Sequence, residues 1–116
     1  MSMNVFILAE REVTFKKKNG ETGTDTQIVK FAAWQTPTKD TYEIVGSDNP
    51  VQAYTDWVLK RARDEQVPVY DEKDCWAEGE PVGYEVYNAG KEHVQQFQEW
   101  IEEVEENGYT VKIEVI

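Results

Sequence analysis

The chain contains one cysteine and one histidine, Cys75 and His93. Together they could supply a thiolate nucleophile and an imidazole base, with a nearby carboxylate to orient the ring. Cys75 falls in a stretch that reads as a loop and His93 at the start of a helical pattern. Neither sits in a nucleophile motif. A half-buried cysteine beside Trp76 and a histidine at a helix edge account for them more simply. The sequence also lacks a Ser–His–Asp order, a phosphate-cradling glycine loop and zinc-ligand spacing. The chain is therefore read as non-enzymatic and without a cofactor. A small enzyme or ligand-binding domain using the 71–80 loop with Cys75 and His93 is the alternative.

Carboxylates are the second chemical resource. Asp71, Glu72, Asp74, Glu78 and Glu80 fall within ten residues, with Tyr70 before them and Trp76 among them. Oxygen ligands at that density can hold a hard cation, but the spacing is not that of an EF-hand loop and the glycine is misplaced for one. No metal is expected. An aromatic anchor inside an anionic rim is the expected arrangement, because Trp and Tyr are enriched at interface hot spots.

The third resource is "FQEWIEEVEENGYTVKIEVI", the last twenty residues, with six carboxylates and one lysine. At helical spacing Val94, Phe97, Trp100, Ile101 and Val104 fall on one arc. Glu92, Glu99, Glu102, Glu103, Glu105 and Glu106 fall on the opposite one. Glu99–Glu103 and Glu102–Glu106 are like charges at i,i+4, and each pair costs a few tenths of a kcal/mol, roughly. The last glutamates also crowd the helix C-terminus, where the dipole disfavours anions. A solvated face of good helix formers is the plain reading. A recognition band for a basic groove is the functional one.

Net charge is −11 and is one-sided. Residues 1–63 carry nine Lys/Arg against eight Asp/Glu, and residues 64–116 carry three against fifteen. Such asymmetry disfavours nucleic acid or an anionic membrane as a direct ligand and favours a basic protein partner. The one basic run, "FKKKNG", reads as the charged tip of a hairpin. No apolar run approaches the roughly 20 residues of a membrane helix. The opening "MSMNVFILAEREV" has no basic region before its apolar run, so no signal peptide is expected. The lone cysteine fits a reducing, cytoplasmic setting.

The elements that must position these residues are legible from periodicity. Residues 3–18 alternate as a strand, Asn19-Gly20 and Gly23 suit a hairpin turn, and "TQIVKFAAW" returns. "TYEIVG" reads as a short third strand. Asn49 is a favoured N-cap and Pro50 suits the first helical position, opening a helix with Val51, Tyr54, Trp57, Val58 and Ala62 inward. Pro68 closes that segment, and an acidic loop follows. "VGYEVYN" is a strand, residues 91–106 are a helix ended by Asn107-Gly108, and the tail from Tyr109 is a strand.

The expected fold is one α+β domain over 1–116, with two layers. A mixed, mainly antiparallel sheet of about five strands in the order βββαβαβ carries two helices on one face. A right-handed crossover would set the last two strands parallel. Trp34, Tyr42, Tyr70, Trp76 and Tyr87 exceed what such a core would hold. In physical type the chain is similar to virus- or plasmid-encoded inhibitors of host defence and to toxin-neutralising immunity proteins. The acidic surface is read as that of a stoichiometric inhibitor or adaptor, a monomer or homodimer, engaging a basic surface of a nucleic-acid-processing partner, with a DNA mimic as one form of it. The expected contact residues are Glu92, Glu99, Glu102, Glu103 and Glu106 with Tyr70, Asp71, Glu72, Asp74, Trp76, Glu78 and Glu80.

Overall fold

The computed structural model describes residues 2–70 and 80–115. Their order is β1 (Ser2–Lys16), β2 (Thr22–Phe31), β3 (Gln35–Pro37), α1 (Thr38–Val45), α2 (Pro50–Arg61), β4 (Glu65–Val69), β5 (Gly83–Tyr87), α3 (Ala89–Glu106) and β6 (Thr110–Val115). The chain is α+β as its periodicities predict. It has three helices and six strands, in two antiparallel sheets, among the described residues.

β1 is the spine: it runs unbroken for fifteen residues, and β2, β3 and β6 all pair with it. β2 returns along it through the turn at Gly20, whose φ of 87° is the left-handed conformation that Asn19-Gly20 predicts. Ile7 faces Phe31 and Asn4 faces Gln35, so three steps along β1 match four on the return. The extra residue lies in the stretch between β2 and β3, as in a β-bulge. β6 pairs with β1 from Val5↔Val115 to Glu10↔Thr110.

Two expectations are corrected here. "TYEIVG" is not a strand; it is most of α1. Its buried residues, Thr41 and Ile44, are three apart, which is one helix face. The Thr41 hydroxyl is held by the carbonyl of Pro37 at 3.0 Å and by the Thr36 hydroxyl, anchoring the helix to β3. A six-residue apolar-polar run fits either period, and tertiary contact decided it. The strand–helix–strand crossover is also absent. β5 pairs only with β4, a strand the sequence reading missed, and β6 joins β1 in the other sheet. Pro68 concealed β4, because proline is tolerated in a strand only at an edge. The order is βββααββαβ.

The core gathers Val5, Ile7 and Ile113 from the sheet, Ile44 from α1, Tyr54 and Val58 from α2, and Val94 and Phe97 from α3. Odd-numbered β1 residues thus face all three helices. On the opposite face Leu8 is buried and Phe6 half-buried, with the Lys30 ammonium 4.8 Å over the Phe6 ring. Beyond Arg11 the β1–β2 hairpin outruns the helices, leaving Phe15 exposed. The Asn49 side chain accepts from the Gln52 N–H at 3.2 Å, as an N-cap should. Gln52 does not complete a capping box; its amide donates to Asp56 at 2.9 Å. Asp40 joins α1 to α2, accepting from Trp57 Nε1 at 2.9 Å and Arg61 at 2.8 Å.

α3 begins hard against the end of α2. A Cβ added to buried Gly90 would lie 2.7 Å from the Ala62 Cβ and 3.0 Å from its Cα. Gly90→Ala should therefore destabilise the protein by about 1–3 kcal/mol through overpacking, against the roughly 1 kcal/mol that alanine gains in helix propensity. Urea denaturation of the variant checks this, and a rise in midpoint would contradict the close packing.

Candidate binding surface

α3 is positioned by its ends and its apolar stripe. The Asn88 side chain accepts from the Lys91 N–H at 3.1 Å, and Gly108, with φ of 84°, ends the helix. Val94, Phe97 and Val104 are buried, while Trp100 and Ile101 are half-buried against the core. Phe31 lies 5.2 Å from Phe97 and 5.3 Å from Trp100, ring centre to ring centre, clamping the helix to the sheet. With that stripe turned inward, Glu92, Glu99, Glu102, Glu103 and Glu106 are all exposed, as their spacing predicts.

These five carboxylates are not equivalent. Glu92, at the first turn, accepts from Gln96 at 3.4 Å and from the Tyr87 hydroxyl, whose pKa the Glu92 bond holds above its ordinary value. Glu99 accepts from Gln95 at 3.2 Å. The carboxylates of Glu102, Glu103 and Glu106 have no hydrogen-bond or ion-pair partner among the described residues. The two ion pairs there lie elsewhere, Arg61 with Asp40 and Lys112 with Glu10. Glu103 borders a shallow hollow with Arg11, Val29, Trp100, Asn107 and Tyr109. Arg11 is already committed there, donating to the Asn107 carbonyl at 2.7 Å and standing 4.7 Å over the Tyr109 ring.

Of the second group of expected contact residues, the two that are described, Tyr70 and Glu80, are not beside the first. Tyr70 follows β4 and Glu80 precedes β5, at the far end of the β4–β5 ribbon from α3; Tyr70 is half-buried and Glu80 exposed. Five residues of strand put that end about 16 Å from the ribbon's base. Asp71, Glu72, Asp74, Trp76 and Glu78 lie outside the described residues, as does Cys75. Of the aromatics expected at the surface, Tyr42 and Tyr87 are exposed, but Trp34 is half-buried and stacks on His93.

His93 belongs to an aromatic cage that the sequence reading did not foresee. Its ring lies 5.0 Å from Trp34, 5.5 Å from Phe31 and 6.0 Å from Tyr54. The Tyr54 oxygen accepts the Trp34 backbone N–H at 2.9 Å and is 2.8 Å from His93 Nε2. The hydroxyl hydrogen has no other acceptor among the described residues, so it is donated to Nε2 and the neutral imidazole carries its proton on Nδ1. Burial pushes the Tyr54 phenol up to about 12, partly opposed by the Trp34 bond, and pushes the His93 imidazole below its ordinary value. Tyr54 at a buried helical position was the available signal, since a buried phenol needs a partner.

Both groups are neutral in the fold, and the sign of their linkage follows. Below pH 6.5 the unfolded chain protonates its histidine before the folded chain does, so stability falls as pH drops. Above pH 10 the unfolded chain ionises its tyrosine first, so stability falls as pH rises towards 12. Chemical denaturation across pH 5–8 should show an acid-side slope that is reduced in His93→Gln. Equal slopes in the two proteins would show that the cage does not oppose protonation.

Compared with known protein families, curated proteins and solved structures, the chain matches none.

Proposed function

We infer that the chain is an acidic binding protein, a stoichiometric inhibitor or adaptor that presents the outer face of α3 to a basic, nucleic-acid-binding surface of a protein partner. One observation carries this reading. Glu102, Glu103 and Glu106 stand exposed and unpaired, among the described residues, at the helix end where the dipole opposes them. Lysine at i+4 would relieve that repulsion, and none is present on α3 beyond Lys91.

The spacing adds support. Glu99, Glu102, Glu103 and Glu106 span a rise of about 10.5 Å, or one carboxylate per about 3.5 Å, from helix geometry. A single DNA strand carries one phosphate per about 3.4 Å of axis. A groove built for a phosphate strand would therefore meet a comparable line of charge over this short length. That is the physical content of a DNA-mimic role, and of an anti-defence role as one instance of it. The same charge would repel nucleic acid itself. No helix among the described residues is long and apolar enough to cross a membrane.

Replacing Glu99, Glu102, Glu103 and Glu106 together with Gln should leave the melting temperature unchanged or slightly raised, because no core residue is touched. The variant should lose partners that the parent captures from a lysate at low salt. Exposed charges act mainly through encounter, so the loss should appear first in the association rate and shrink as salt rises. A variant that associates as fast as the parent at low salt would reduce the band to a solvated face.

A further inference from the structure

The base of the β4–β5 ribbon forms a corner with α3. Tyr87, the last residue of β5, reaches across it, and its hydroxyl donates to the Glu92 carboxylate. A hollow of about 490 Å³ lies there, with Val86 and Tyr87 on the ribbon side and Glu92, Gln95, Gln96 and Glu99 on the helix side. A second, of about 280 Å³, adjoins it along Val67, Glu85, Val86 and Tyr87. The register pairs Val67 with Glu85 and Glu65 with Tyr87, so these four side chains share one face of the ribbon.

Both walls of this corner are acidic. Glu65 and Glu85 are exposed on the ribbon, and Glu92 and Glu99 on the helix. Three carboxylates line the two hollows, Glu85, Glu92 and Glu99, against one cation, Lys91. Gln95 and Gln96 donate to Glu99 and Glu92, which leaves their amide oxygens to accept. Between the walls lie a ring and an aliphatic side chain, Tyr87 at 44% exposed and Val67 at 40%. Residues 92, 95, 96 and 99 share one side of α3, and the same spacing continues to Glu103 and Glu106. The corner is thus the N-terminal end of the glutamate band.

We propose that this corner seats an arginine of the basic partner, its guanidinium laid on the Tyr87 ring and held by the flanking carboxylates. It rests on the α3 reading and adds the side chain that the surface selects. The chain carries the same arrangement, complete, elsewhere. Trp57 donates to Asp40, and Arg61 stands 4.2 Å over the Trp57 ring while pairing with that carboxylate at 2.8 Å. Tyr87 and Glu92 repeat the ring–carboxylate pair, and none of the chain's own arginines, Arg11, Arg61 and Arg63, lines it. The excess of carboxylate sets the sign of the occupant, and the ring chooses between the two cations. A guanidinium is planar and weakly hydrated, so it can stack on a ring while its N–H groups reach acceptors in its own plane. An ammonium is a strongly hydrated point charge and gains less from the ring. Arginine is also the side chain that phosphate-binding surfaces favour, which fits the partner inferred for α3.

Titration of the isotope-labelled protein with acetylated, amidated tetra-arginine, and separately with tetra-lysine, tests this by NMR at low salt. Tetra-arginine should shift the amides of Val67, Glu85, Tyr87, Gln95 and Gln96 saturably, and should bind at least about threefold tighter than tetra-lysine. Tyr87→Phe should keep that preference, because the ring face remains, and Tyr87→Leu should remove it. Glu85→Gln should weaken tetra-arginine more than Glu105→Gln, which removes the same charge from another side of α3. Shifts confined to Glu102–Glu106 would overturn the corner while leaving the α3 reading in place. Equal affinity for the two peptides, or a preference that survives Tyr87→Leu, would do the same. No saturable shift with either peptide would also overturn the corner, and the α3 reading would then be decided by the association rate of its own quadruple variant.

Discussion

Ile7 and Tyr54 are both fully buried, and between them run the contacts on which the rest of the protein depends. Ile7 is the point where β2, β1 and β6 lie in register, opposite Phe31 on one side and Ile113 on the other. Tyr54 carries the opposing layer. Its ring meets Phe97 edge-on at 5.6 Å, and its hydroxyl joins the return of the sheet, through Trp34, to the start of α3, through His93. One side chain thus sets the relative placement of α2, α3 and the stretch between β2 and β3. Its hydroxyl is satisfied on both sides, without which burial would cost about 1–3 kcal/mol.

The exposure of the glutamate face follows from this constraint. Burying Phe97, Val94 and Val104 contributes about 1.5–3 kcal/mol each, whereas each i,i+4 glutamate pair costs a few tenths. The apolar side decides the rotation of α3, and its charged side has to accept solvent. The repulsion is small enough for the core to tolerate. It still distinguishes this helix from one composed for stability alone, because Gln95 and Gln96 engage only Glu99 and Glu92. The unpaired carboxylates are concentrated in the last two turns.

The molecule departs from compactness in a consistent way. Its radius of gyration is 20.1 Å, against about 13 Å for a compact chain of this length. Two antiparallel ribbons depart from the main core, the outer half of β1–β2 and the whole of β4–β5. The first ends in Lys16, Lys17 and Lys18, all exposed, which suits solvent. The second carries tyrosine and valine outward, which does not.

The sequence by itself determined what depends on neighbours along the chain. The long β1–β2 hairpin with its Asn19-Gly20 turn, the Asn49-Pro50 start of α2, the two faces of α3 and its Asn107-Gly108 end all follow from local propensity and period. So does the exposure of Glu92, Glu99, Glu102, Glu103 and Glu106, because an amphipathic helix can bury only one side. Tertiary structure decided what local signals leave equal. Residues 41–46 fit either period, and the hydroxyl pair of Thr36 and Thr41 with buried Ile44 made them helical. Pro68 looked like a stop, yet at a ribbon edge the missing N–H costs little, so β4 formed. The partner of β5 could not be read from its own residues, since strand alternation states which side chains share a face and not what lies opposite. His93 was read with Cys75 because both are single residues of their type, but only the fold brought Tyr54, thirty-nine positions away, to its ring nitrogen. Contacts between segments distant in sequence arise from packing, and packing is settled only when all the elements are present together.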